Sequence, residues 1–206
     1  MRWSFLLCGA VAAGLGLCSI AGAQSNEVGL LIGGALTPSQ ASGSSTIGFD
    51  PSLAFSVEYG HRVLKTPVGA LLAGVDFAAS PLDVITNSGP GTAIDQYAYI
   101  FLTPELRYKA PAVAGLTPWV SVGGGYARFR EGDLRNGQRN TQPGTNTGAA
   151  EVSGGVDLNR TVKLLLPVGF RFEVRDYISG KPQYQVDTGA GTQNNVVISG
   201  GLVLHF

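Results

Sequence analysis

The chain has 206 residues, with fourteen Lys and Arg set against fourteen Asp and Glu, so it offers one domain and none of the basic excess that nucleic-acid binding uses. Thirty glycines, and no apolar run after residue 24 long enough for a spanning helix, favour strands and turns. Both cysteines, Cys8 and Cys18, lie in the first segment, which removes disulfide frameworks and cysteine metal sites from everything downstream.

That first segment has the form of an export signal. Arg2 supplies a positive start, residues 3–20 an apolar stretch, and Ala21-Gly22-Ala23 a small-residue cleavage site, so cleavage is expected between Ala23 and Gln24. A retained N-terminal helix is the alternative, but no basic stop-transfer flank follows; a lipoprotein leader ending at Cys18 is disfavoured by the bulky Leu17. The expected division is therefore a signal peptide over 1–23 and a single β domain over 24–206.

In that domain period-2 segments alternate with Gly-, Pro-, Asn-, Ser- and Thr-rich connections, and no helical period persists. Eight strands are predicted, over 27–36, 52–62, 68–79, 96–109, 118–130, 148–158, 164–178 and 195–206. The connections 37–51, 80–95, 131–147 and 179–194 are long and polar, whereas 63–67, 110–117 and 159–163 are short. Regular alternation of long and short joins is the mark of an up-and-down meander with extended loops on one rim and tight turns on the other, as in a transmembrane β-barrel.

Charge parity divides the strands into two faces. In the seventh, Val168, Phe170, Phe172 and Val174 alternate with Arg171, Glu173 and Arg175. The second sets Leu53, Phe55, Val57 and Tyr59 against Ser56, Glu58 and Arg62, and the fourth Ile100, Leu102, Leu106 and Tyr108 against Thr103, Glu105 and Arg107. The third opposes Leu71, Val75 and Phe77 to Asp76, the sixth Val152, Val156 and Leu158 to Glu151, Ser153 and Asp157. The Gly-rich first and fifth strands have no face that the pattern assigns. Alternation alone does not say which face is inside, but the eighth strand carries Val196, Ile198, Leu202, Leu204 and Phe206 on one parity up to the final residue, a free edge that a soluble protein avoids.

With the signal, the segment 118–127 (PWVSVGGGYA), the strand 169–177 (GFRFEVRDY) and the ending 201–206 (GLVLHF), the chain resembles the small outer-membrane β-barrel family that includes the OmpA transmembrane domain, OmpX and the opacity-type adhesins. The resemblance covers residues 24–206. It implies an all-β, eight-stranded antiparallel up-and-down barrel in the bacterial outer membrane, in contact with membrane lipid and lipopolysaccharide. It also makes Leu202, Leu204 and Phe206 a signal for the barrel-insertion machinery. A peptidoglycan-binding domain, present in larger members, is not expected after Phe206.

Eight strands enclose a space that side chains fill, so a broad water channel is not expected. By parity Glu58, Arg62, Asp76, Glu105, Arg107, Glu151, Asp157, Arg171, Glu173 and Arg175 point into it, where charges must pair. Arg171 and Arg175 are expected to bridge carboxylates of neighbouring strands, with loss of Glu173 destabilising the barrel. The main reading is a non-enzymatic structural and surface-interaction protein displaying four loops, among them the Arg- and Asn-bearing stretch with Arg135, Asn136, Arg139 and Asn140. Two alternatives stay open: a narrow pore for ions or small solutes, and a soluble periplasmic barrel holding an apolar ligand. His61 and His205, the only histidines, fall at the turn-bearing rim, away from any outer-leaflet substrate. No cofactor, metal or nucleotide motif is present, and Asn159-Arg160-Thr161 is taken as a chance sequon.

Overall fold

A computed structural model describes residues 25–42, 45–87, 94–131, 144–163, 167–182 and 191–206. Among these described residues ten strands are formed: β1 (Asn26–Leu36), β2 (Gln40–Ser42), β3 (Ser45–Phe49), β4 (Ser52–Thr66), β5 (Gly69–Asn87), β6 (Ile94–Lys109), β7 (Leu116–Glu131), β8 (Thr145–Lys163), β9 (Pro167–Gly180) and β10 (Thr192–His205). β1 and β4 to β10 pair antiparallel, each with its neighbours. The ring closes because β1 lies between β10 and β4 and because β5 pairs with β6. Closure satisfies the backbone along the whole sheet and leaves no edge among the eight strands, as a span through hydrocarbon requires.

The faces are decided by exposure. Arg171 and Arg175 are 0% exposed while Phe172 and Val174, on the opposite parity of β9, are 55% and 49% exposed. Charges thus lie inside and oil outside, the reverse of a soluble barrel. The same outward parity carries Leu30, Ile32, Leu53, Phe55, Val57, Leu102, Leu106, Val120, Val122, Val152, Ile198 and Leu202 on the other strands. Such a continuous apolar exterior is stable only against lipid.

The two undecided strands now have faces. In β1 Glu27, Leu31 and Ala35 point inward and Leu30, Ile32 and Leu36 outward; in β7 Trp119, Ser121, Ala127 and Phe129 are inward, with Val120, Val122 and Tyr126 outward.

Several connections differ from the sequence expectation. The first long connection contains the β2–β3 ribbon, and β3 pairs with the far end of β5, Ile47 opposite Asn87 and Phe49 opposite Ile85. β5 runs to Asn87 rather than stopping at Ala79; a register shift between Ser80 and Asp83 absorbs Pro81, which lacks a ladder N–H. β8 likewise continues through the expected turn 159–163 to Lys163, with an irregularity between Leu158 and Val162. The β6–β7 turn is as short as expected: Ala114 and Gly115 adopt φ of 53° and 84°, the left-handed pair that closes a hairpin along the strands' twist.

Candidate functional site

The candidate site is the lumen, which is layered from the turn-bearing rim to the loop-bearing rim. Nearest the turns, Lys109 Nζ lies 2.5 Å from both Glu27 Oε2 and Asp157 Oδ2. His205 Nδ1 is 3.8 Å from the same Glu27 oxygen. Above them Arg171 forks onto Asp157 through Nε and Nη2, at 2.7 and 2.9 Å, donates from Nη2 to Glu27 at 2.8 Å, and reaches Glu58 through Nη1. Arg107 donates to Glu27 at 2.9 Å, Glu58 at 2.8 Å and Glu105 at 2.6 Å. Trp119 stacks beneath both guanidiniums, 4.2 Å from Arg107 and 5.0 Å from Arg171, while its Nε1 donates to Asp157 at 3.2 Å.

One layer up, Arg175 is the hub. It binds Glu58 at 2.5 Å, Glu105 at 3.0 Å and Glu173 at 3.2 Å, and contacts Glu151. Hydroxyls complete the carboxylates: Ser121 donates to Glu105 at 2.7 Å, Ser199 to Glu173 at 3.1 Å, and Thr103 to Glu151. Asp76 sits above the hub, 0% exposed, with one oxygen accepting from Tyr177 Oη and Oδ1 without a hydrogen-bond partner among the described residues.

Beyond Asp76 the lumen changes character. Phe101 stacks on Tyr177 at 4.2 Å and 6°, meets Phe129 edge-on at 5.8 Å, and is followed by Tyr99, Tyr97 and Phe49. Ile47 joins the rings, and Ala35, Ala54, Ala78, Ala127, Ala149 and Val197 complete this cluster, small side chains set against large ones. At the top Asn195 Oδ1 accepts from Thr37 at 3.0 Å and from Gln193 at 3.1 Å.

Nine sequence-identified residues converge here: Glu58, Asp76, Glu105, Arg107, Glu151, Asp157, Arg171, Glu173 and Arg175 are all buried. Arg62 does not share their burial; it is half-buried at the β4 irregularity near the turns. Leu202 and Leu204 lie on the outward parity of β10, and Phe206 exchanges backbone hydrogen bonds with Asn26 at 2.8 and 3.0 Å. The cleavage-site residues Ala21, Ala23 and Gln24, and the loop residues Arg135, Asn136, Arg139 and Asn140, lie outside the described residues. Sequence reasoning missed Glu27, Lys109, Trp119 and the aromatic layer. Glu27 and Lys109 stand on the same inward parity as residues already assigned, so pairing β1 with β4 and following β6 to its end was the available signal.

Seven carboxylates (Glu27, Glu58, Asp76, Glu105, Glu151, Asp157, Glu173) therefore share the lumen with four cations, Arg107, Lys109, Arg171 and Arg175. Removing a cation leaves several buried acids uncompensated; removing one acid does not. Among the described residues no group of His, Cys, Asp and Glu is arranged to hold a metal ion. His61 is exposed on the outer face, its Nδ1 2.8 Å from Asn26 Oδ1.

No family model matches the chain, and no curated protein sequence matches it. Among solved structures, Neisserial surface protein A is similar at 13% identity over 90% of this chain and 100% of that one, with a TM-score of 0.59. The outer membrane protein OprG of Pseudomonas aeruginosa is similar at 13% identity over 91% and 99% respectively, with a TM-score of 0.55. The likeness is one of fold, that of small outer-membrane β-barrels.

Proposed function

We propose, from the premise that this chain is a small bacterial outer-membrane β-barrel, that it works as a closed, non-enzymatic scaffold. It anchors through its lipid face and presents its four long connections as a surface for interaction. In the same reading residues 1–23 are a leader cleaved before Gln24, and Leu202, Leu204 and Phe206 are read by the insertion machinery. The observation that carries the proposal is the filling of the lumen. Arg175 holds four carboxylates across the barrel and the Phe101–Tyr177 stack lies directly above, so a hydrated ion meets first a charge lattice and then an aromatic stopper. Catalysis would need a nucleophile and base facing a substrate, whereas the lumen acids other than Asp76 are held by cations, Asp76 lies 0% exposed under Tyr177, and the histidines lie beside Asn26 and Glu27 near the turns. Fold alone does not assign activity; these side chains support the non-enzymatic reading.

Planar-bilayer recording tests it. Barrel purified from outer membranes after expression of the full chain is expected to insert without stepwise conductance; steady ohmic channels at low voltage would overturn the closed-scaffold reading in favour of a pore.

A further inference from the structure

Along the outward parity of β7 the residue types change in a fixed order. Val120 and Val122 are each 59% exposed, Tyr126 follows, and Arg128 and Arg130 then stand exposed next to the long connection. Arg128 lies twelve residues above Leu116, which at about 3.3 Å per residue and a tilt near 40° is roughly 30 Å, the thickness of the hydrocarbon layer. An arginine facing hydrocarbon is costly, whereas one level with lipid headgroups beyond an aromatic girdle is not. No other barrel strand carries Lys or Arg on its outward parity in the half next to the long connections.

The described residues around the pair leave it open. Asn146 on β8 stands opposite Arg128, and its Oδ1 accepts from Tyr126 Oη at 2.6 Å, leaving the amide nitrogen as a further donor. Gly144 presents no side chain between them: a Cβ there would lie 3.7 Å from Arg128 Nε and from Arg130 Cβ, and 2.6 Å from the Phe129 carbonyl. On the β6 side Ala98 is the register partner of Arg130. Among the described residues no carboxylate comes within 4 Å of either guanidinium. Two arginines whose Cα atoms stand about 7 Å apart on one strand face, with an amide donor beside them, offer the donors that the oxygens of a phosphate monoester accept from.

We propose that Arg128, Arg130 and Asn146 form a binding site on the barrel wall for the phosphate of an outer-leaflet glycolipid headgroup. The inference goes beyond the scaffold role and rests on its orientation, with the long connections outside.

The test uses the barrel purified in neutral detergent after expression of the full chain, titrated with lipid A carrying its phosphates or with the same lipid dephosphorylated, and read by native mass spectrometry. The parent is expected to bind the phosphorylated form about tenfold or more tightly, the scale of one or two charge-assisted hydrogen bonds. R128Q/R130Q is expected to lose that preference, R128K/R130K to keep part of it, and K65Q at the opposite rim to keep all of it. Inorganic phosphate at equal concentration is expected not to compete. Equal binding of the two lipids by the parent, an unchanged preference in R128Q/R130Q, or an equal loss in K65Q would overturn the site. A heat-modifiable shift on a denaturing gel is run on every sample. Its absence in the parent would count against the barrel reading itself, and its presence in a variant that has lost the preference separates binding from folding.

Discussion

The two halves of the lumen solve one packing problem with opposite chemistry. Toward the turns the space is filled by long charged side chains from six strands, tied together through Arg107, Arg171 and Arg175; toward the loops it is filled by Tyr97, Tyr99, Phe101, Phe129 and Tyr177 packed against alanines. The charged half stabilises through its four cations, each shared among several acids, because a desolvated ion without a partner is expensive. The aromatic half stabilises through volume and ring geometry, so its sensitivity is to cavities. Asp76 and Tyr177 are the seam, an acid of the lower half accepting from a ring of the upper.

Substitutions break that comparison in graded ways, all read as urea unfolding of the purified barrel in micelles. Arg175→Ala should have the largest effect, a loss of about 3–5 kcal/mol, because four carboxylates lose their common cation; an unchanged midpoint would mean the lattice contributes nothing. Phe101→Ala should follow at about 3–4 kcal/mol from the cavity it leaves against Tyr177 and Phe129, and a cost under about 1 kcal/mol would mean that the upper lumen collapses to fill it. Tyr177→Phe keeps the stack but strips Asp76 of its remaining donor, for about 1–3 kcal/mol. Glu173→Gln, against the expectation from sequence that loss of Glu173 destabilises, should be the mildest, within about 1 kcal/mol in either direction, since seven acids already exceed four cations and the amide keeps the shape. A loss as large as that of Arg175→Ala would show that carboxylates rather than arginines limit the network.

The same contrast explains what could be read in the sequence. The charged half was legible because Arg171, Glu173 and Arg175 alternate with Phe172 and Val174, and the period of a strand turns such a pattern into two faces. Glu27 was not, because the glycines of β1 give its parity no contrast. The aromatic half was hidden for a different reason: Tyr97, Tyr99 and Phe101 occupy the parity that carries Thr103, Glu105 and Arg107 lower on the same strand, so hydrophobicity ceases to distinguish inside from outside there. The β2–β3 ribbon and the far end of β5 are drawn from Ser-, Thr-, Gly- and Pro-bearing segments whose local signals are those of loops, and pairing with each other makes them strands.

The charged parity faces the lumen and the apolar parity faces lipid. Trp119 tests it directly, because it is the only tryptophan of residues 24–206 and its ring lies inside against Arg107 and Arg171. With the barrel reconstituted in bilayers of brominated lipid, the parent's fluorescence is predicted to be quenched weakly and that of Trp119→Phe/Val120→Trp strongly, a reversal produced by moving the indole one residue. Equal quenching, or stronger quenching of the parent, would contradict this assignment of faces.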